Sequence, residues 1–218
     1  MPVEAVIFDM DGVLVDSEVY WGRSREAFAR DIGKVWTDED QRLAMGRSTV
    51  EWAQVMQERL SLDWTIEAII DDMFQRVMNC YEEKMPLRPG ALEAVHLAAS
   101  AYPVALASGS PTPIIQHVMA LTGLDKVFLH IVYGDDQTHG KPAPDIYLEA
   151  ARRLGIAPEV AVGIEDSANG VRALKNAGMT IIAAPSPDFP LPAEIMDMAH
   201  VVIDSLEDFT LELVRLLG

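Results

Sequence analysis

Six short apolar runs punctuate the chain, at residues 3–8, 104–107, 128–132, 160–164, 180–184 and 201–203. Their length and β-branched content read as buried strands. Between several of them, residues 91–101, 113–121, 145–154 and 169–177 place apolar side chains three and four apart, the spacing of one helix face. Strand alternating with helix constrains the fold to the α/β class: a parallel sheet with helices on both faces. In such sheets ligands bind beyond the carboxyl ends of the strands.

One stretch breaks the alternation. Residues 18–32, 37–45, 49–60 and 65–84 all read as helices, with Thr65 as an N-cap and no strand among them. Asp16-Ser17 precedes this stretch, and Met85-Pro86-Leu87-Arg88-Pro89-Gly90 follows it with the proline and glycine of a boundary. Four helices exceed an ordinary strand-to-helix connection. The expected organisation is a catalytic core of residues 1–15 and 85–218, interrupted by a helical cap domain of residues 16–84.

The chain's 218 residues, half of them hydrophobic, suffice for one core and a small second domain. A formal net charge of −17 makes nucleic acid and anionic membrane surfaces unsuitable partners. It would also repel an anionic small substrate, whose site must therefore carry local positive charge. Cys80 is the single cysteine, so there is no disulfide framework, and it is expected as a buried helix residue. The N-terminus lacks a basic segment leading into an apolar run, and no apolar run nears the ~20 residues of a spanning helix. The expectation is a cytoplasmic protein.

Four motifs fall at or beyond strand ends. Asp9-Met10-Asp11-Gly12 sits directly behind the run at 3–8, and Ser108-Gly109-Ser110 behind 104–107. Gly140-Lys141-Pro142-Ala143-Pro144-Asp145 and Gly163-Ile164-Glu165-Asp166-Ser167 complete the set. Two carboxylates at the edge of an apolar core are costly unless a cation or a proton compensates them. They suit a hard metal, a nucleophile beside an acid/base, or both. A calcium loop is excluded, because Val13 and Leu14 stand where an oxygen ligand and a glycine are required. A P-loop is excluded too: the interval from Gly134 to Lys141 is one residue too long, and Pro142 replaces the magnesium-binding hydroxyl. Taken singly, Ser108 could cap a helix, Glu165-Asp166 could open one, and Lys141 could be a solvated lysine. Their joint occurrence in this order points to one site.

The run from Phe8 to Glu18 resembles the first motif of the haloacid dehalogenase superfamily of hydrolases, and Ser108, Lys141 and Glu165-Asp166 resemble its second, third and fourth motifs. The resemblance covers nearly the whole chain, helical cap included. It implies a Rossmann-like core, dependence on Mg²⁺ and an aspartyl-phosphate intermediate. By that resemblance Asp9 is the nucleophile and Asp11 the general acid and base. Asp9, the Asp11 carbonyl and Asp166 bind the metal, with Glu165 acting through a water or behind the first ligands. Ser108, the Gly109 amide and Lys141 hold the phosphate. Dehalogenases of the superfamily lack an aspartate at the place of Asp11, so phosphoryl chemistry is favoured.

Within the superfamily the chain is similar to the β-phosphoglucomutases and to the small sugar-phosphate phosphatases. The mutases carry a histidine where this chain has Trp21, and the arrangement of Asp16, Ser17, Glu18 and Trp21 leans toward the phosphatases. The leading expectation is a magnesium-dependent phosphatase of small phosphorylated metabolites, acting as a monomer. A phosphosugar isomerase and a non-catalytic metabolite-binding module are the alternatives. Glu18, Trp21 and Arg47 are candidate substrate contacts, each with a structural alternative: a hinge, a packed ring and a surface charge.

Overall fold

A computed structural model describes residues 1–187 and 189–218. Among them, six strands form one parallel sheet: β1 (Ala5–Phe8), β2 (Val104–Ser108), β3 (His130–Tyr133), β4 (Ala161–Glu165), β5 (Thr180–Ala183) and β6 (Val201–Val202). The spatial order is β3-β2-β1-β4-β5-β6, which puts β1 at the centre. All residues of β1, β2 and β4 are buried, as strands covered on both faces must be.

Side-chain alternation divides the core between the two faces. Ile7, Ala105 and Ala107 pack on one side with Tyr147, Ala150 and Ala151 of α7 (Asp145–Leu154) and Val171 and Leu174 of α8 (Ala168–Ala177). Phe8 points the other way, with its ring 6.0 Å from Phe128 and 6.1 Å from Phe209. Complete burial of a side chain such as Ile7 or Phe8 contributes ~1.5–3 kcal/mol. That burial holds the central strand, and with it the start of the first motif.

Several boundaries differ from the sequence expectation. Val160 ends a short 3₁₀ turn begun by Pro158, so β4 starts one residue later and runs through Glu165. β2 likewise runs through Ser108. Phe128 precedes β3, because its N–H donates to the Leu124 carbonyl at 3.0 Å and closes the preceding turn instead of pairing in the sheet. Lys141 is not at a strand end: a 3₁₀ turn (Gly134–Asp136) and a loop separate it from β3.

The chain divides into two compact units, Met1–Asp16 with Pro86–Gly218, and Ser17–Met85. The second contains α1 (Glu18–Asp31), α2 (Asp38–Ala44), α3 (Thr49–Arg59) and α4 (Ile66–Glu83), while α5 (Ala91–Ala99) and α6 (Thr112–Thr122) belong to the first. Thr65 caps α4 by accepting a hydrogen bond from the Ala68 N–H at 3.2 Å. Ile69, Met73, Val77 and Tyr81 recur every four residues as the buried stripe of α4. Cys80 lies beside that stripe, half-buried rather than buried. Among the described residues no helix is long and apolar enough to cross a membrane.

Candidate active site

The strand order brings three motifs to one edge of the sheet. Phe8 pairs with Leu106 on one side and Ile164 on the other, so Asp9 emerges between the ends of β2 and β4. The Asp9 N–H donates to the Ile164 carbonyl at 3.1 Å and ties the chain to β4 for one more residue. The backbone then turns tightly: the Leu14 and Val15 N–H groups both donate to the Met10 carbonyl, at 2.8 and 3.0 Å. Gly12 sits inside this turn at φ 75°, and a Cβ there would fall 1.8 Å from Asp166 Oδ2. Glycine is required both for the left-handed backbone and for the close approach of that carboxylate.

Lys141 reaches into this edge from the loop before α7. Its ammonium donates to Asp9 Oδ1 at 2.6 Å and to Glu165 Oε1 at 2.6 Å, and it lies 4.9 Å from the centre of the Tyr147 ring. Burial alone would push the Lys141 ammonium down, but the Asp9 and Glu165 carboxylates overcome it and hold the group well above its ordinary value. Lys141 is the local cation that an acidic chain needs if it is to accept an anionic ligand.

Glu165 is fully engaged. Its Oε1 accepts from Lys141 and, at 2.7 Å, from the buried Tyr147 hydroxyl. Its Oε2 accepts from the Asp166 and Ser167 N–H groups and from Ser167 Oγ, each at 3.0 Å. A Cβ at Gly170 would fall 1.7 Å from Glu165 Oε1, so the first turn of α8 must be bare there. Burial would raise the Glu165 carboxyl, yet Lys141 and these donors hold it below its usual value. This geometry makes Glu165 an anchor for Lys141, with its oxygens already committed.

Asp9 and Asp166 are in the opposite condition. Burial, with Glu165 and Asp11 adding to it against the pull of Lys141, pushes Asp9 up to about 8. Burial, then the charges of Glu165 and Asp9, pushes Asp166 up to about 9. Ligand oxygens of Asp9, Glu165 and Asp166 lie within 4.8 Å of one another. A buried carboxylate cluster that one ammonium leaves under-compensated is the donor set a hard divalent cation fits. Asp9 and Asp166 would hold the ion, with Glu165 behind them.

Ser108 and Ser110 complete the cluster. Both hydroxyls donate to Asp11 Oδ2, at 3.2 and 2.6 Å respectively, with exposed Gly109 between them. Sequence reasoning gave no role to Ser110 or Tyr147. Ser110 stood inside a quoted motif, but nothing in a serine's identity says where its hydroxyl points. Tyr147 lies six residues after Lys141 on an apolar helix face and reads as core. Asp145 Oδ1 accepts a hydrogen bond from His139 Nδ1 at 3.0 Å, which ties the loop rather than the cluster.

The remaining candidates belong to the helical unit and are described within it. Trp21 is buried, its ring 5.5 Å from that of Trp52 and 6.2 Å from that of Phe74, with the Arg25 guanidinium 5.5 Å away. Glu18 Oε1 accepts from Gln41 Nε2 at 2.8 Å and lies 3.8 Å from Arg25. Arg47 is exposed between α2 and α3.

Known proteins resemble this chain in sequence and in fold. Residues 3–178 match the haloacid dehalogenase-like hydrolases. The phosphorylated carbohydrates phosphatase of Thermotoga maritima is 34% identical over 178 residues, 81% of this chain and 82% of that protein. Hexitol phosphatase B of Escherichia coli K12 is 30% identical across 94% of each chain. Among solved structures, a putative β-phosphoglucomutase from Thermotoga maritima superposes with a TM-score of 0.81 at 30% identity, covering 94% of this chain and 96% of that one. The chain belongs to the haloacid dehalogenase-like hydrolase family.

Proposed function

We propose that this protein hydrolyses phosphoric monoesters of small metabolites, sugar phosphates foremost, through a phosphoryl group carried on Asp9. The observation that supports this most is the meeting of a carboxylate, a buried ammonium and a second carboxyl pinned by hydroxyls at one sheet edge. Relatives named as phosphatases of phosphorylated carbohydrates and hexitols support the substrate class.

Asp9 attacks phosphorus while Lys141 and the Ser108 hydroxyl hold the equatorial oxygens of the phosphoryl group. Asp11 gives a proton to the leaving oxygen, then takes one from the water that hydrolyses the acyl phosphate. Glu165 and Tyr147 keep Lys141 aimed at the site. Mg²⁺, held by Asp9, Asp166 and the Asp11 carbonyl, would supply the positive charge that keeps Asp9 ionised and lets an anionic ester approach. The helical unit is the place to look for specificity, with Glu18 and Arg47 as the candidate contacts. Trp21 is already committed to packing, so an isomerase reading finds no acid–base side chain at that position.

The test is turnover of 4-nitrophenyl phosphate and of a phosphorylated-metabolite panel with Mg²⁺. Steady phosphate release, abolished by EDTA and by Asp9→Asn, is expected. Folded, metal-loaded protein that turns over nothing on the panel would reject the proposal, and isomer formation far outpacing phosphate release would replace it with a mutase.

A further inference from the structure

The two oxygens of Asp11 are not equivalent. Oδ2 receives the Ser110 hydroxyl at 2.6 Å and the Ser108 hydroxyl at 3.2 Å. Oδ1 is buried and has no hydrogen-bond partner among the described residues. The Ser110 N–H also donates to Ser108 Oγ at 3.1 Å, which makes the two serines one clamp. A short hydroxyl–carboxyl hydrogen bond is among the stronger ones available and fixes the rotamer it touches. A carboxyl pinned through one oxygen has the other held in one fixed direction, here without a partner among the described residues.

We propose that Ser110 is a positioning residue for proton transfer, holding Asp11 by Oδ2 so that Oδ1 meets the bridging oxygen of the ester. The proposal rests on the reading of Asp11 as the general acid. Ser108 cannot fill this place throughout the reaction. It has one proton, and once that proton is given to a phosphoryl oxygen it no longer holds Asp11. Ser110 is the donor that remains. In the first step the bond from Asp9 to phosphorus forms and the ester P–O bond breaks, while the proton on Asp11 Oδ1 passes to the departing oxygen. The alcohol leaves neutral, and Asp11 is left a carboxylate. In the second step water bonds to phosphorus, the Asp9–phosphorus linkage breaks, and Asp11 takes the proton that the water releases.

The test is a leaving-group series: 4-nitrophenyl, 4-chlorophenyl and unsubstituted phenyl phosphate, with wild type, Ser110→Ala, Ser110→Thr and Asp11→Asn. A nitrophenolate departs with little help from an acid, whereas a phenolate needs it. Ser110→Ala is expected to lose about tenfold more kcat/KM on phenyl phosphate than on 4-nitrophenyl phosphate, a share of the ~10²–10⁴ that positioned proton transfer contributes. Ser110→Thr, which keeps the hydroxyl, is expected to restore the wild-type slope. A steep Asp11→Asn series beside a flat Ser110→Ala series overturns the clamp and leaves the acid role of Asp11 standing. Flat series for both variants remove the acid role and the clamp together. A uniform loss across the series also overturns the clamp, because it is what a contact with substrate or a folding defect produces. If Ser110→Ala does not fold, Ser110→Cys, similar in size with a weaker donor, carries the same comparison.

Discussion

Lys141→Met removes an ammonium while keeping most of the apolar stem, and its consequences can be worked from two distances. The ammonium lies 2.6 Å from Asp9 Oδ1 and 2.6 Å from Glu165 Oε1, with the lysine side chain 14% exposed and those carboxylate side chains 7% and 0% exposed. At an effective dielectric constant near 20 each pair is worth roughly 6 kcal/mol of gross Coulomb attraction. Most of that is cancelled by the desolvation of three buried charges, so removing one partner is expected to cost about 3–5 kcal/mol net. The loss is unevenly spread. Glu165 keeps Tyr147 and the N–H groups of Asp166 and Ser167 as donors. Asp9, already pushed up to about 8, loses a compensating charge and moves further toward its neutral form. A neutral Asp9 is no nucleophile, and the phosphoryl group loses a donor. A rate loss of at least ~10²–10³ is therefore expected on top of the stability loss. Urea unfolding at fixed Mg²⁺ measures the first quantity, and kcat on 4-nitrophenyl phosphate the second. A variant within about 0.5 kcal/mol of wild type and within tenfold of its rate would refute the electrostatic reasoning.

The same cluster sets a pH dependence. Asp9 and Asp166 stand at about 8 and about 9 against ordinary values of 3.8, so between those limits the folded state binds more protons than the unfolded one. Metal-free stability from this pair is full below about pH 4 and is lost as pH rises toward 8 and 9, and a cation on the ionised pair offsets that loss. The rise in melting temperature on adding saturating Mg²⁺ should thus be larger at pH 8 than at pH 5.5; an equal or smaller rise at pH 8 contradicts this. Gly12→Ala combines φ 75° with a Cβ 1.8 Å from Asp166 Oδ2, so it should weaken metal binding and lower activity more than tenfold, read as the Mg²⁺ concentration for half-maximal rate. Trp21→Ala opens a cavity beside Trp52 and Phe74, and a stability loss of about 3–5 kcal/mol is expected by urea unfolding; a change in KM alone would assign Trp21 to substrate instead.

The parallel sheet was legible because its strands are short, apolar and separated by helix-period segments, a pattern with few other physical solutions. The helical insert was legible as a gap in that pattern. Strand ends were less so: Glu165 and Ser108 are polar, and polarity alone argues that a strand has stopped. In the structure both finish the strand, because parallel neighbours go on pairing, as Glu165 does with Ala183 and Ser108 with Tyr133. The charged residues that meet at this sheet edge could be read from their types and order. Their division of labour could not. That Glu165 is saturated by five donors, or that Ser110 rather than Gly109 reaches the site's second aspartate, depends on angles and rotamers that leave no trace in residue identity. Tyr147 shows the limit most clearly: its ring satisfies the apolar periodicity of α7, and only the fold reveals that its hydroxyl meets Glu165.

The central claim, that Asp9 carries the phosphoryl group, can be tested by chemical trapping. Protein quenched during turnover of a phosphate ester with Mg²⁺ is reduced with borohydride and its peptides are analysed by mass spectrometry. An acyl phosphate on Asp9 is reduced to homoserine at position 9, and the account predicts that conversion in wild type and its absence in Asp9→Asn. Sustained turnover with Asp9 recovered unmodified, or with the modification at another carboxylate, would contradict it.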